Sequence, residues 1–209
     1  MYNFVEENMA LFSKINSHSE ILSSNKFLIN KVFVKYGYIE DGPGNDLLYS
    51  NSNLITTPVK ENPSIKKYFK PISNQYSLSS CVANAVADSF EAQQARRKNC
   101  DPSLIEDISR LFIYWNARNL SNPPTCNIDD GSRIRLAFDS MARYGAPSEK
   151  IYPYDMNKVN ERPSILSYRE AIKNRISKFY RIDGEGSYRI FQIKQALSAG
   201  NPVVFGTGI

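Results

Sequence analysis

Histidine is almost missing from this sequence: the 209 residues hold one, His18, set between Ser17 and Ser19 in a polar segment where an exposed imidazole is the plain reading. Cysteine is nearly as scarce. Cys81, Cys100 and Cys126 are odd in number and contain no CxxC pair. Tetrahedral zinc needs Cys or His ligands grouped more closely than this, so no metal and no cofactor is expected. A disulfide framework is excluded for the same reason, and Cys100 with Cys126 is the one pairing worth considering, disfavoured in a leaderless protein. No apolar run approaches the roughly 20 residues of a membrane span, and Met1-Tyr2-Asn3-Phe4-Val5-Glu6-Glu7 lacks the basic start and apolar stretch of a secretion signal. The expectation is a cytoplasmic or otherwise leaderless protein with no membrane partner. Charge is also unconcentrated. Lys and Arg number 26 against 21 Asp and Glu, for a net +5, but the basic groupings at Lys66-Lys67 and Arg96-Arg97-Lys98 are short, so nucleic acid is not expected as a partner either.

What is present is enough chain for one sizeable domain with an extension. Residues 1–57 are polar and rich in Asn and Ser, with a weak helical pattern over Val5 to Ile21 and a strand candidate over Phe27 to Tyr36. Glu40-Asp41-Gly42-Pro43-Gly44-Asn45-Asp46 then reads as a turn, and Asn51 to Pro58 as a linker. This stretch is expected to be an N-terminal extension, either a pro-segment or a docking arm. Residues 58–209 carry the main domain.

Within that domain the informative stretch is Asn74-Gln75-Tyr76-Ser77-Leu78-Ser79-Ser80-Cys81, followed by the Ala-rich run Val82 to Ala95. A thiol where a polar loop becomes a helix meets unpaired backbone N–H groups and the positive end of the helix dipole, both of which favour thiolate. Gln75, six positions upstream, carries an amide able to donate to an oxyanion. The periodicity of Val82, Val86 and Phe90, with small residues on the other faces, predicts a buried helix from Cys81 to about Arg97. Asp101-Pro102 predicts the start of a second helix with Leu104, Ile105, Ile108, Leu111, Phe112 and Trp115 inward. Asp129 and Asp130 are adjacent in sequence and so do not face each other on a helix; they are expected to cap a helix starting near Ser132 and ending at Gly145. Tyr152-Pro153-Tyr154-Asp155 reads as a rigid turn. A helix over about Ser164 to Lys178, a strand Phe179 to Ile182, a helix around Tyr188 to Ala199 and a buried strand Val203-Val204-Phe205 complete the pattern.

In order and spacing these motifs resemble the papain-like cysteine peptidases, in their bacterial and phage-type branch, over about Tyr68 to Ile209. The Gln75-to-Cys81 spacing, the Ser80-Cys81 pair, Ser109 to Arg118, Tyr144-Gly145, the aromatic turn, and Ile193 to Leu197 with Gly200 to Gly206 carry the likeness. The resemblance implies an α+β fold, mostly the helical lobe built on the helix that starts at the cysteine, with the β lobe incomplete. It implies Cys81 as nucleophile, Gln75 in the oxyanion hole, and Asp130, Gly131 and Ser132 as the wall that binds peptide substrate. The family's His and Asn have no counterpart before Ile209, so the expectation is a peptidase part that is inactive as given. Two further readings stay open. One is a non-catalytic scaffold in a larger assembly such as a virion or phage particle, and the other is a second chain that supplies the His.

Overall fold

A computed structural model describes residues 9–14, 37–42 and 44–206. Its elements are strand β1 (Met9–Lys14), strand β2 (Tyr38–Ile39), helix α1 (Cys81–Lys98), helix α2 (Arg110–Asn119), strand β3 (Ser132–Arg133), helix α3 (Ile134–Arg143), helix α4 (Ile165–Ala171), strand β4 (Lys178–Ile182), helix α5 (Gly186–Ser198) and strand β5 (Val203–Gly206). His18 and the strand candidate Phe27 to Tyr36 lie outside the described residues.

α1 forms where the small residues predict it. Ala83, Ala87, Ala92 and Ala95 are almost fully buried and let neighbouring backbones approach, while Val82, Val86 and Phe90 fill the space between. The helix stops at Asn99, whose φ of 47° is left-handed and whose short side chain tolerates that conformation. α2 begins later than Asp101-Pro102 suggests. Asp101 caps only a single tight turn, Pro102–Leu104, leaving Leu104 exposed; the chain then runs extended until Ser109 Oγ accepts from the Phe112 N–H at 3.1 Å and starts α2. Every residue from Arg110 to Arg118 is buried, so α2 is the centre of the lobe. α3 packs on it through Ile134, Ala137, Phe138 and Met141 and ends as expected at Gly145, φ 76°. Fully burying side chains of this size contributes about 1.5–3 kcal/mol each.

The start of α3 departs from expectation. Neither Asp129 nor Asp130 caps it, and Arg133 at the cap position makes no side-chain cap bond. The acceptor comes from the distant Asp41, whose Oδ2 receives the Arg135 N–H at 3.2 Å. Residues 46–57 also touch the body, and within the Asn51 to Pro58 stretch Ser52 is buried and the Thr57 carbonyl accepts from Gln195 Nε2 at 3.2 Å. Asp46 pairs with Arg135 at 2.6 Å and Arg181 at 3.2 Å, Tyr49 is fully buried beside Ile182 and Ala196, and Ser50 Oγ donates to Asp183 at 2.7 Å.

Two small parallel sheets complete the described fold, ordered β4-β1-β5 and β2-β3. β1 lies between β4 and β5, with Leu11 opposite both Tyr180 and Val203. The weak helical pattern over Val5 to Ile21 is therefore corrected at Met9–Lys14, where strand pairing with two neighbours outweighs local preference. Among the described residues no helix is long and apolar enough to cross a membrane.

Candidate active site

Cys81 is the first residue of α1 and is partly exposed. The loop leading to it is bound in place by a chain of hydrogen bonds. Tyr154 Oη donates to the Gln75 carbonyl at 3.1 Å and lies 2.5 Å from Ser80 Oγ, which also accepts from Asn84 Nδ2 at 3.0 Å. Tyr76 holds a left-handed φ of 49°, a conformation that costs a non-glycine residue about 1–2 kcal/mol, and its N–H donates to Asn74 Oδ1 at 2.8 Å. The loop from Asn74 to Ser80 has no glycine, and Tyr76 supplies the bend. Gln75 Nε2 donates to the Leu78 carbonyl at 2.7 Å, which uses one of its two amide protons and leaves the other for a ligand.

The wall of residues 129–132 is fastened to the same loop. Asp129 Oδ1 accepts from the Ser79 N–H at 3.0 Å and from Tyr114 Oη at 2.6 Å, and Tyr114 Oη in turn accepts from the Gly131 N–H at 3.0 Å. Beneath it, the fully buried Arg118 lies over the Tyr114 ring and donates to the carbonyls of Ile128 and Val159 and to Asn160 Oδ1. Gly131 and Ser132 are buried, Gly131 at a φ of 88° that favours glycine, while Asp130 is exposed. The structure thus brings Cys81, Gln75, Gly131 and Ser132 into one construction and leaves Asp130 at its rim. Sequence reasoning gave Tyr114 and Arg118 no role of their own, placed Tyr154 only in a turn and read Asp129 as a helix cap, because their actual roles depend on contacts between elements far apart in the chain.

Residues 37–42 run alongside this construction as a strap: the Ser132 N–H donates to the Gly37 carbonyl at 2.7 Å, β2 pairs in parallel with β3, and Arg133 Nε donates to the Glu40 carbonyl at 3.2 Å. Arg135 Nη2 completes the row at the Gly42 carbonyl, 2.7 Å away. Gly37 is pressed so close to the nucleophile loop that a Cβ added there would stand 1.7 Å from the Ser79 carbonyl oxygen. The Gly37 N–H counts among the backbone groups that favour ionisation of the Cys81 thiol. Burial pushes that thiol up in pKa, and the N–H groups of Gly37, Val82 and Cys81 itself only partly offset this. The N–H groups at the helix terminus act in the expected direction, but desolvation outweighs them. Cys100 and Cys126 are free thiols as well. Among the described residues, no three His, Cys, Asp or Glu side chains converge as metal ligands would.

No family model matches the chain. Over 137 residues it is 36% identical to "Uncharacterized peptidase C1-like protein L477" of Acanthamoeba polyphaga mimivirus, a match covering 64% of this chain and 42% of that protein. The chain thus spans less than half the length of this curated relative. Its structure is similar to that of xylellain, a cysteine protease from Xylella fastidiosa, with a TM-score of 0.62 at 25% identity, covering 84% of this chain and 67% of that one. A weaker likeness, TM-score 0.47 at 15% identity over 71% of this chain and 44% of the other, is to digestive procathepsin L 3 of Tenebrio molitor. Kinship to a peptidase C1-like protein, likeness to a cysteine protease, and a cysteine that opens the buried helix α1 agree that this chain has the α+β fold of the papain-like cysteine peptidases.

Proposed function

We propose that the chain is part of a papain-like cysteine peptidase, with Cys81 as nucleophile, held closed by its own N-terminal segment. The observation that supports this best is the position of Gly37 against both halves of the site: its carbonyl accepts from the Ser132 N–H at 2.7 Å, and a Cβ added to it would stand 1.7 Å from the Ser79 carbonyl oxygen of the nucleophile loop. This supports a reading in which extended backbone lies between β3 and the nucleophile loop. In the open state Cys81 would attack a peptide carbonyl, its own N–H and the free proton of the Gln75 amide would hold the oxyanion, and water would hydrolyse the thioester. The wall at Asp130, Gly131 and Ser132 would carry the substrate backbone. That chemistry also needs an imidazole to take the thiol proton. His18 is the one histidine of the sequence and stands upstream of the nucleophile, so in this reading the base comes from polypeptide other than these 209 residues, and the chain alone hydrolyses no peptide.

The test is a peptidyl epoxide applied to the 209-residue chain, with adducts mapped by mass spectrometry and hydrolysis of fluorogenic peptides followed in parallel. Modification of Cys81 ahead of Cys100 and Cys126, without turnover, is the expected result. Even modification of the three thiols would refute the site. Turnover lost in Cys81→Ala would refute the need for an outside base.

A further inference from the structure

Helix α2 serves two faces of the lobe. Tyr114 and Arg118 hold the wall beside Cys81, while Trp115 and Asn119, each one position further along, line a hollow of about 480 Å³ with Tyr144, Arg162 and Tyr168. The hollow shares no residue with the construction around Cys81, and its volume falls in the range of small-molecule sites, roughly 300–1,000 Å³. Its aromatic side is fixed in shape. Tyr168 Oη donates to Asn116 Oδ1 at 2.8 Å, and the Tyr168 ring meets Phe112 and Tyr144 edge to face, with centroids 4.9 and 5.6 Å away. Trp115 is 6% exposed, and its Nε1 is buried without a hydrogen-bond partner among the described residues. The polar side holds donors and no acid: among the described residues, no Asp or Glu lines the hollow. Arg162 is exposed and makes no ion pair or hydrogen bond among those residues. Its charge is felt inside all the same, since burial raises the Tyr168 phenol in pKa while the bond to Asn116 and the Arg162 guanidinium oppose that rise. Asn119 Oδ1 accepts from Cys126 Sγ at 3.7 Å, which leaves the amide protons for a ligand. The carbonyls ending α2, which would repel an anion, are already engaged: Asn116 O accepts from the Leu120 N–H at 2.9 Å, and Arg118 O from the Ser121 and Thr125 N–H groups at 3.2 and 3.0 Å.

We infer that this hollow is a binding site for a small aromatic carboxylate, its ring against Trp115, Tyr144 and Tyr168 and its carboxylate on Arg162 and the Asn119 amide. A planar guanidinium takes both oxygens of a carboxylate at once, and here no acid of the lining competes for it. One cation balances one negative charge, which favours a carboxylate over a doubly charged phosphate. A flat ring gains from three aromatic neighbours what an aliphatic body of equal size does not. The inference does not use the peptidase reading, since none of these five residues enters that chemistry.

Trp115 is the one tryptophan of the sequence, so its fluorescence reports on the hollow directly. The probe is 4-nitrobenzoate, a quencher of indole emission, titrated into the 209-residue chain. Saturable quenching with a midpoint below about 1 mM is expected. The neutral counterpart 4-nitrobenzamide should bind at least tenfold more weakly, and cyclohexanecarboxylate should displace the probe at least tenfold less well than benzoate does. Arg162→Gln should remove the advantage of the acid over the amide. Arg169→Gln, which deletes the same charge from an exposed position on α4 outside the lining, should keep it. Because Arg162 is exposed and makes no hydrogen bond, its variant should fold, and circular dichroism checks that it does. Quenching that rises without saturation, equal binding of acid and amide, or an equal loss in both arginine variants overturns the inference. Equal displacement by cyclohexanecarboxylate and benzoate overturns it as well, because the site would then select charge and not a ring.

Discussion

Gly37→Ala is the most direct perturbation of the closed site. The new methyl would stand 1.7 Å from the Ser79 carbonyl oxygen and 2.2 Å from its carbon, distances no side chain tolerates, and both atoms are backbone within the fastened nucleophile loop. The strap has to give way. What it loses first is the hydrogen bond from the Ser132 N–H, worth about 1 kcal/mol net, and then the packing of the half-buried Tyr38 ring, worth about another 1 kcal/mol at half of full burial. Together about 2 kcal/mol corresponds to roughly a thirtyfold rise in the population that exposes the thiol. The assay is the rate of Cys81 alkylation by iodoacetamide, with Cys100 and Cys126 as internal standards and circular dichroism to confirm the fold. Gly42→Ala is the matched control, since a Cβ there meets nothing within 4 Å. A Cys81 rate within twofold of wild type in folded Gly37→Ala would refute the reasoning, because it would mean that the strap does not guard the nucleophile.

The other predictions address the wall, the loop and the latch. Tyr114→Phe removes the hydroxyl that joins Asp129 Oδ1 to the Gly131 N–H and should cost about 1–3 kcal/mol in denaturant unfolding; it should also slow peptidyl probes more than iodoacetamide, and equal slowing would count against a substrate-binding wall. Tyr76→Asn keeps a side chain but tolerates the left-handed φ of 49°, so it should stabilise the chain by about 0.5–1 kcal/mol, and a loss of more than that would show that the bend is not strained. Burial holds the Asp41 carboxyl above its usual range, with the Arg135 N–H and guanidinium only partly opposing this. The folded state therefore binds the proton more readily than the unfolded one, and this group's contribution to stability is largest below about pH 4 and is lost as pH rises through the raised folded value. The Tm of Asp41→Asn relative to wild type should accordingly climb between pH 4 and 7, and a falling difference would reverse the sign. Replacing Arg118 by Lys should loosen the 125–131 loop, since a single ammonium cannot reach the carbonyls of Ile128 and Val159 together, and faster hydrogen exchange confined to that loop is the expected signature.

The parts of this site legible in sequence are those fixed by neighbours along the chain. The small-residue run predicts α1, Cys81 at its first position follows from the loop-to-helix change, and Gly145 ends α3 because that position is left-handed. The strands expected at Phe179 to Ile182 and Val203 to Phe205 form as β4 and β5, although Phe205, expected to be buried, is exposed. Other features depend on partners remote in sequence. The cap of α3 is Asp41, 94 residues from the Arg135 N–H it accepts, and adjacent acidic residues at 129 and 130 made a local cap look sufficient. Asp101 before Pro102 has the chemistry of a helix start, yet the segment must run extended so that Ile108 can pair with Ser148 and bury its side chain. Gly37 carries no pattern at all. Its meaning lies in what has to pass close to it.

The cap that Asp41 places on α3 links two quantities that are usually separate. The carboxylate belongs to the strap and the helix belongs to the body, so an open cleft is also a helix with a bare N-terminus. By reciprocity, whatever favours opening lowers the stability of α3, and whatever loosens α3 favours opening by the same free energy. A peptide that displaces the strap would recover that energy only if it carried its own acceptor to the Arg135 N–H. On the proposed reading, access to Cys81 and the integrity of the lobe are coupled through one side chain, and a ligand that restores the cap should raise the melting temperature more than its other contacts alone would suggest.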